Sequence, residues 1–173
     1  MTPEGFPSAF SVGRSVLLRA FVPGIEVHGQ LEVPPKDRHR SRVVSPKDRK
    51  PFVQTYDTER NRVWAEHVGA TVLAQLRGVP VVGDSDFTLP ITDCRVILSL
   101  RFNLRKPASY PARAAHAIHK PDLDNLTKAI LDALVQAKVL DNDQCVTDEV
   151  LCKRYADKEH PVGVELEMTC LPA

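Results

Sequence analysis

From His119 to Asp143 the chain carries one amphipathic segment with punctuated ends, and no other stretch constrains its fold as tightly. Pro121 disfavours helical geometry at Lys120, so the backbone arrives extended. Asp124 suits an N-cap, and the pattern from Asn125 onward is helical. Leu126, Ile130, Leu134 and Ala137 recur at helical spacing and form a buried stripe. Asp124, Lys128 and Asp132 share the opposite face. Val139-Leu140 is too short a run to carry the helix past Lys138 before the acidic turn Asp141-Asn142-Asp143. An extended segment follows, from about Cys145 to Tyr155.

The polar residues of this segment have a chemistry in common. Asp122 and Asp124 stand at the mouth of the helix, Lys128 one turn further in, and Asp141 and Asp143 beyond its end. Carboxylates hold a hard cation, the cation activates water, and an ammonium meets the charge of a phosphate. If the extended segment packs beside the helix start, Asp143 can close on Asp122 and Asp124. A plainer reading uses the same residues. Asp124 is then only a cap, Asp124, Lys128 and Asp132 are an ion-pair stripe worth about 0.3–0.5 kcal/mol per pair, and the acidic turn is solvated. Spacing alone leaves both readings open.

Around this segment the patterns call for one α+β domain. Residues 1–14 lack periodicity and form a loose tail, with the domain over 15–173. Ser15 to Val22 alternates as a first strand, and Pro23 to Phe52 is a long polar, basic connection. Thr58 to Arg77 is a first helix with Trp64 in its apolar face, and Gly78 to Asp93 a loop. Asp84-Ser85-Asp86, within that loop, lacks the residues that would make a site of it. Cys94 to Phe102 and Val162 to Cys170 alternate with period two and are half-buried strands. The order is β-α-β-α-β-β, with helices packed on one mixed sheet.

Formal net charge is only +1, but its distribution is uneven. Lys36 to Lys50 holds seven Lys/Arg against two Asp, a local +5. Pro121 to Glu149 holds seven acids against two lysines, a local −5. That separation suits DNA held by one part and metal by another. Asn103 to Lys120 is a second basic connection, longer than a compact fold needs. Cys94, Cys145, Cys152 and Cys170 have no zinc-site spacing and are expected as small, reduced core or surface residues of a cytoplasmic protein. No signal peptide is expected from the first residues, and no apolar run is long enough to span a membrane as a helix.

The run Lys120-Pro121-Asp122-Leu123-Asp124-Asn125-Leu126, then Lys128, Asp132-Ala133-Leu134, Val139-Leu140-Asp141-Asn142-Asp143 and Lys153-Arg154-Tyr155 resembles the RusA family of Holliday-junction endonucleases of bacteria and their phages. Pro34-Pro35-Lys36-Asp37-Arg38-His39-Arg40 resembles that family's Pro-rich basic segment after the first strand. The resemblance implies a homodimer that nicks four-way junctions symmetrically in recombination and repair. It implies Mg²⁺, with Mn²⁺ as a substitute, and no organic cofactor. It places metal-binding carboxylates on Asp122, Asp124 and Asp143 and the catalytic lysine on Lys128. Phosphate contacts fall to Lys36, Arg38, Arg40 and Lys120. The chain departs from the family where Asn142 and Cys145 replace an acid and a Gln, which makes Asp141 a rival third ligand, and at Lys138, where Gly is usual. A flap or branched-DNA endonuclease and a non-cleaving branched-DNA-binding module are the alternatives.

Overall fold

Alternation between a buried and an open face organises the sheet, and the buried face positions both helices. The computed structural model describes residues 16–37, 40–44, 52–56, 58–76, 89–92, 94–111 and 113–172. The expected tail and the Asp84-Ser85-Asp86 pair lie outside the described residues, as does most of the expected Gly78–Asp93 loop. The main sheet has the strand order β1-β8-β6-β7, formed by β1 (Val16–Pro23), β6 (Cys94–Leu104), β7 (Val146–Tyr155) and β8 (Gly163–Pro172). β6 pairs with β7 in parallel, and the other contacts are antiparallel, so the sheet is mixed. Val96, Leu98, Leu100 and Phe102 of β6 point into the core with Val164, Leu166 and Met168 of β8. The opposite face is laced with ion pairs, Arg19–Glu167 at 2.7 Å and Arg95–Asp148 at 2.8 Å among them.

Two helices are described, α1 (Glu59–Leu76) and α2 (Leu123–Gln136). They lie side by side, α1 against β1 and α2 against β7. Their approach is close at Gly69, where an added Cβ would stand 2.6 Å from the Cβ of Ala137. Trp64 is fully buried, as its place in the apolar stripe requires.

The long connection after β1 is not structureless. It contains two hairpins, β2 (Ile25–Val27) with β3 (Gln30–Glu32), and β4 (Arg40–Val44) with β5 (Phe52–Tyr56). His28 and Gly29 link the first pair with φ of 51° and 76°, the two positive values a type I′ hairpin turn demands. These strands are short and polar, so period two is not visible in them. The cysteines also depart from expectation. Cys94 and Cys170 are joined by a disulfide, because the β6–β8 register places them diagonally across neighbouring strands with Cα atoms 6.3 Å apart. Cys145 and Cys152 remain thiols.

α2 ends in a Schellman motif. Lys138 N–H bonds Val135 O at 3.1 Å and Val139 N–H bonds Leu134 O at 2.9 Å. Lys138 takes the left-handed position with φ of 57°. An L side chain there costs about 1–2 kcal/mol, and glycine's extra chain entropy offsets about half of that. Lys138→Gly is therefore expected to stabilise the fold by about 0.5–1 kcal/mol. The check is an upward shift in urea midpoint at constant m-value.

Candidate functional site

The N-cap of α2 is Asp122, two residues before the residue expected to cap it. Both aspartates suit a cap chemically, and pattern alone does not choose between them. Asp122 is extended (φ −72°, ψ 147°), yet its carboxylate makes no capping hydrogen bond. Asp124 falls in the first helical turn. Asp122, Asp124 and Lys128 are all exposed, and none has a side-chain hydrogen bond or ion pair among the described residues. The ion-pair stripe of the plainer reading does not form. Asp132 instead pairs with Lys36, Nζ to Oδ2 at 2.9 Å. Lys128 is left with its ammonium in solvent on the same helix face as Asp124.

The loop that delivers Asp122 is pinned from the sheet. Lys153 of β7 donates from Nζ to His119 O and Pro121 O, both at 2.8 Å. Tyr155 N–H donates to Ala115 O at 2.8 Å, and His116 bridges to Arg154. The His119 ring meets Tyr110 edge-on at 5.4 Å, and Tyr110 meets Tyr155 at 5.6 Å. Arg154 is itself fixed, to Asn103 Oδ1 at 2.7 Å and Glu165 Oε1 at 2.8 Å, beside an Arg101–Glu165 pair at 3.1 Å. Sequence reading carried Lys153 only as part of a motif. Its role as a clamp depends on β7 lying next to the loop, which spacing does not reveal.

The basic segment is docked rather than free. Lys36 N–H bonds Asn125 O at 3.0 Å, tying the segment to the first turn of α2. Asp37 accepts hydrogen bonds from Thr58 Oγ1 at 3.0 Å and from Arg60, and its backbone N–H donates to Asn61 Oδ1 at 3.1 Å. Asp37 thus locks the start of α1. Arg40 opens β4, with only its backbone described, and Arg38 lies outside the described residues. Lys120 is exposed beside Asp122. A cleft of about 300 Å³ between α1 and α2 has Lys36, Asn61, Trp64 and Asp132 in its walls, but none of the three expected metal ligands.

The third carboxylate stands elsewhere. Asp143 begins a single 3-10 turn, Asp143–Cys145, that leads into β7. Val146, at the start of β7, pairs with Val96, whereas Lys153, beside Pro121, pairs with Phe102. The separation along β7 is about 23 Å at 3.3 Å per residue, and the 14 residues of α2 span about 21 Å. Asp143 therefore does not close on Asp122 and Asp124 within one chain. Consistent with that, no three His, Cys, Asp or Glu side chains cluster in metal-holding geometry among the described residues. The acidic turn is exposed. Asn142 Oδ1 accepts from Gln144 N–H at 3.0 Å, Asn142 Nδ2 donates to Asp141 Oδ2 at 3.3 Å, and Asp143 has no side-chain partner among the described residues. Cys145 donates to Asn142 O, and partial burial, reinforced by the charges of Asp143 and Asp141, pushes its thiol pKa up.

Asp122 and Asp124 are a donor set that suits a hard cation. Mg²⁺ is commonly bound by one or two carboxylates, with waters and substrate phosphate completing the shell. Comparison with known families agrees with this chemistry. The family model described as endodeoxyribonuclease RusA matches residues 32–168. No curated protein gives a significant match to the chain. Lys153 tests the geometry. Lys153→Met keeps the stem and removes the clamp, so hydrogen exchange over residues 115–122 is expected to rise while the β6–β8 amides stay protected. Unchanged exchange in the loop would show that the clamp does not hold it.

Proposed function

The chain belongs to the RusA family of endodeoxyribonucleases, and from that premise we propose a divalent-metal-dependent endonuclease that resolves four-way DNA junctions in recombination and repair, acting in the cytoplasm of a bacterium or a phage-infected one. The observation that carries the reading is the unpaired state of Asp122, Asp124 and Lys128, all exposed at the start of α2, while Asp132 is engaged with Lys36. Side chains kept for folding would satisfy one another. These three are left facing solvent, where a phosphate can arrive.

Asp122 and Asp124 would hold Mg²⁺, with Mn²⁺ a fitting substitute of the same oxygen preference. When bound, the cation supplies Lewis-acid chemistry at the phosphate and lowers the pKa of water. Lys128 approaches the phosphate from one turn further along α2 and offsets charge that develops on its oxygens. Lys120, exposed next to Asp122, positions the strand through phosphate contact. Lys153 keeps Asp122 in place through the backbone.

The third carboxylate comes from a second copy. Asp143 lies at the opposite end of α2, so one chain presents two half-sites rather than a whole one. A two-fold dimer that sets the acidic turn of one protomer against the α2 start of its partner completes both sites at once. Such a dimer matches the two-fold relation of the strands to be nicked. Asp143, without a side-chain partner, fits this role better than Asp141, which is already bonded to Asn142.

Asp122→Asn and Asp124→Asn are expected to abolish cutting and leave junction binding intact. Lys128→Ala should fold and bind as the wild type does but cut about 10²–10³-fold more slowly. Lys128→Arg should recover only part of that rate, because a planar fork does not replace a compact ammonium. Single-turnover nicking with Mg²⁺ on junction, flap and linear duplex, paired with thermal melting, reads all of these. Full cleavage in Lys128→Ala would return Lys128 to the status of a surface lysine.

A further inference from the structure

Ile118 is 76% exposed, more than any other large hydrophobic residue described. Single exposed apolar residues are ordinary on protein surfaces and carry no meaning alone. Here the setting is particular. Ala117, its neighbour, is 4% exposed. On one side the loop is tied to β7 through Ala115 O and His116, and on the other through His119 O and Pro121 O. The His119 ring is held against Tyr110. The backbone on both sides of Ile118 is thus fixed, and the side chain is held out in water by the same bonds that place Asp122.

Position and charge select the occupant. Ile118 precedes Asp122 by four residues, so the two are at most about 14 Å apart, or about four base-pair steps. The segment 105–120 contains Arg105, Lys106, Arg113 and Lys120 and no acidic residue. Protein–protein interface cores are depleted in charge, whereas a lone apolar side chain amid cations suits nucleic acid.

We infer that Ile118 is a wedge that enters the unstacked base step at a DNA branch point and gives the endonuclease its preference for branched over linear DNA. The inference rests on the endonuclease reading above and adds a source of shape selectivity to it. Phosphate contacts from lysine and arginine bind every DNA shape about equally. An apolar wedge does not, because entering intact duplex requires breaking a stack at a cost of a few kcal/mol. At a branch that stack is already interrupted, so the wedge is buried without the penalty. A rigid loop is what such a device needs, since a flexible one would fold the isoleucine back onto the protein.

The test uses the uncleaving Asp122→Asn protein and a junction with 2-aminopurine at the branch, compared with linear duplex of the same sequence. The Asp122→Asn parent should bind the junction more tightly and brighten the 2-aminopurine. Adding Ile118→Ala should lower junction affinity by about 10–100-fold, the range expected for one buried aliphatic side chain, and remove the brightening. Duplex affinity should not change, and Ile118→Leu should retain most of the effect. A parent without any junction preference overturns the endonuclease reading and this inference with it. A parent with that preference, kept in full by Ile118→Ala, overturns the wedge alone. Loss of dimer in sedimentation by Ile118→Ala, with 2-aminopurine brightening preserved, would also overturn it and assign Ile118 to contact between copies.

Discussion

Parallel pairing of β6 with β7 is the constraint on which the candidate site depends. Two parallel neighbours cannot be joined by a tight turn, so the chain must cross back along the sheet, and α2 is that crossing. A crossing helix has its two ends at opposite ends of the strands it joins. Asp122 and Asp124 therefore go with the C-terminal ends of β6 and β7, and Asp143 with the start of β7. The same pairing brings Lys153 under the loop that carries Asp122. One topological fact thus holds one pair of carboxylates in place and keeps the third away from them.

The surrounding structure serves rigidity at the α2 start. Lys36 N–H bonds the first turn of α2, Asp37 locks the first turn of α1, and Lys153 grips the loop between β6 and α2. Lys36 spends its charge on Asp132 at 2.9 Å with a side chain only 13% exposed. Its charge is thereby coupled to the helix rather than offered freely. Lys120 and Lys128 are exposed, two residues before Asp122 and four after Asp124 in the chain. On the far face of the sheet, Glu165 gathers Arg101, Arg154 and Asn103, which fixes the strand that supplies Lys153.

Strong periodicity was legible, and anything set by register was not. Leu126, Ile130 and Leu134 announced α2, and all three are fully buried. The alternation in β6 and β8 likewise survived intact. The start of α2 was misplaced by two residues because Asp122 and Asp124 are chemically equivalent caps. The β2–β3 hairpin was invisible because its strands are three residues each and its signal is the backbone of His28-Gly29. The Cys94–Cys170 pair and the Lys153 clamp follow from which strands are neighbours. The position of Asp143 relative to Asp122 required knowing that β7 runs parallel to β6.

The central claim is that each site is built from two protomers, and subunit mixing tests it directly. Asp122→Asn and Asp143→Asn homodimers should each be inactive. In a heterodimer of the two, a shared site leaves one intact set, Asp122 and Asp124 from one protomer with Asp143 from its partner. Mixing the inactive variants under conditions of subunit exchange should restore Mg²⁺-dependent nicking of a four-way junction, as single rather than paired nicks. Heterodimers that form, bind the junction and still do not nick would contradict a site completed across the dimer.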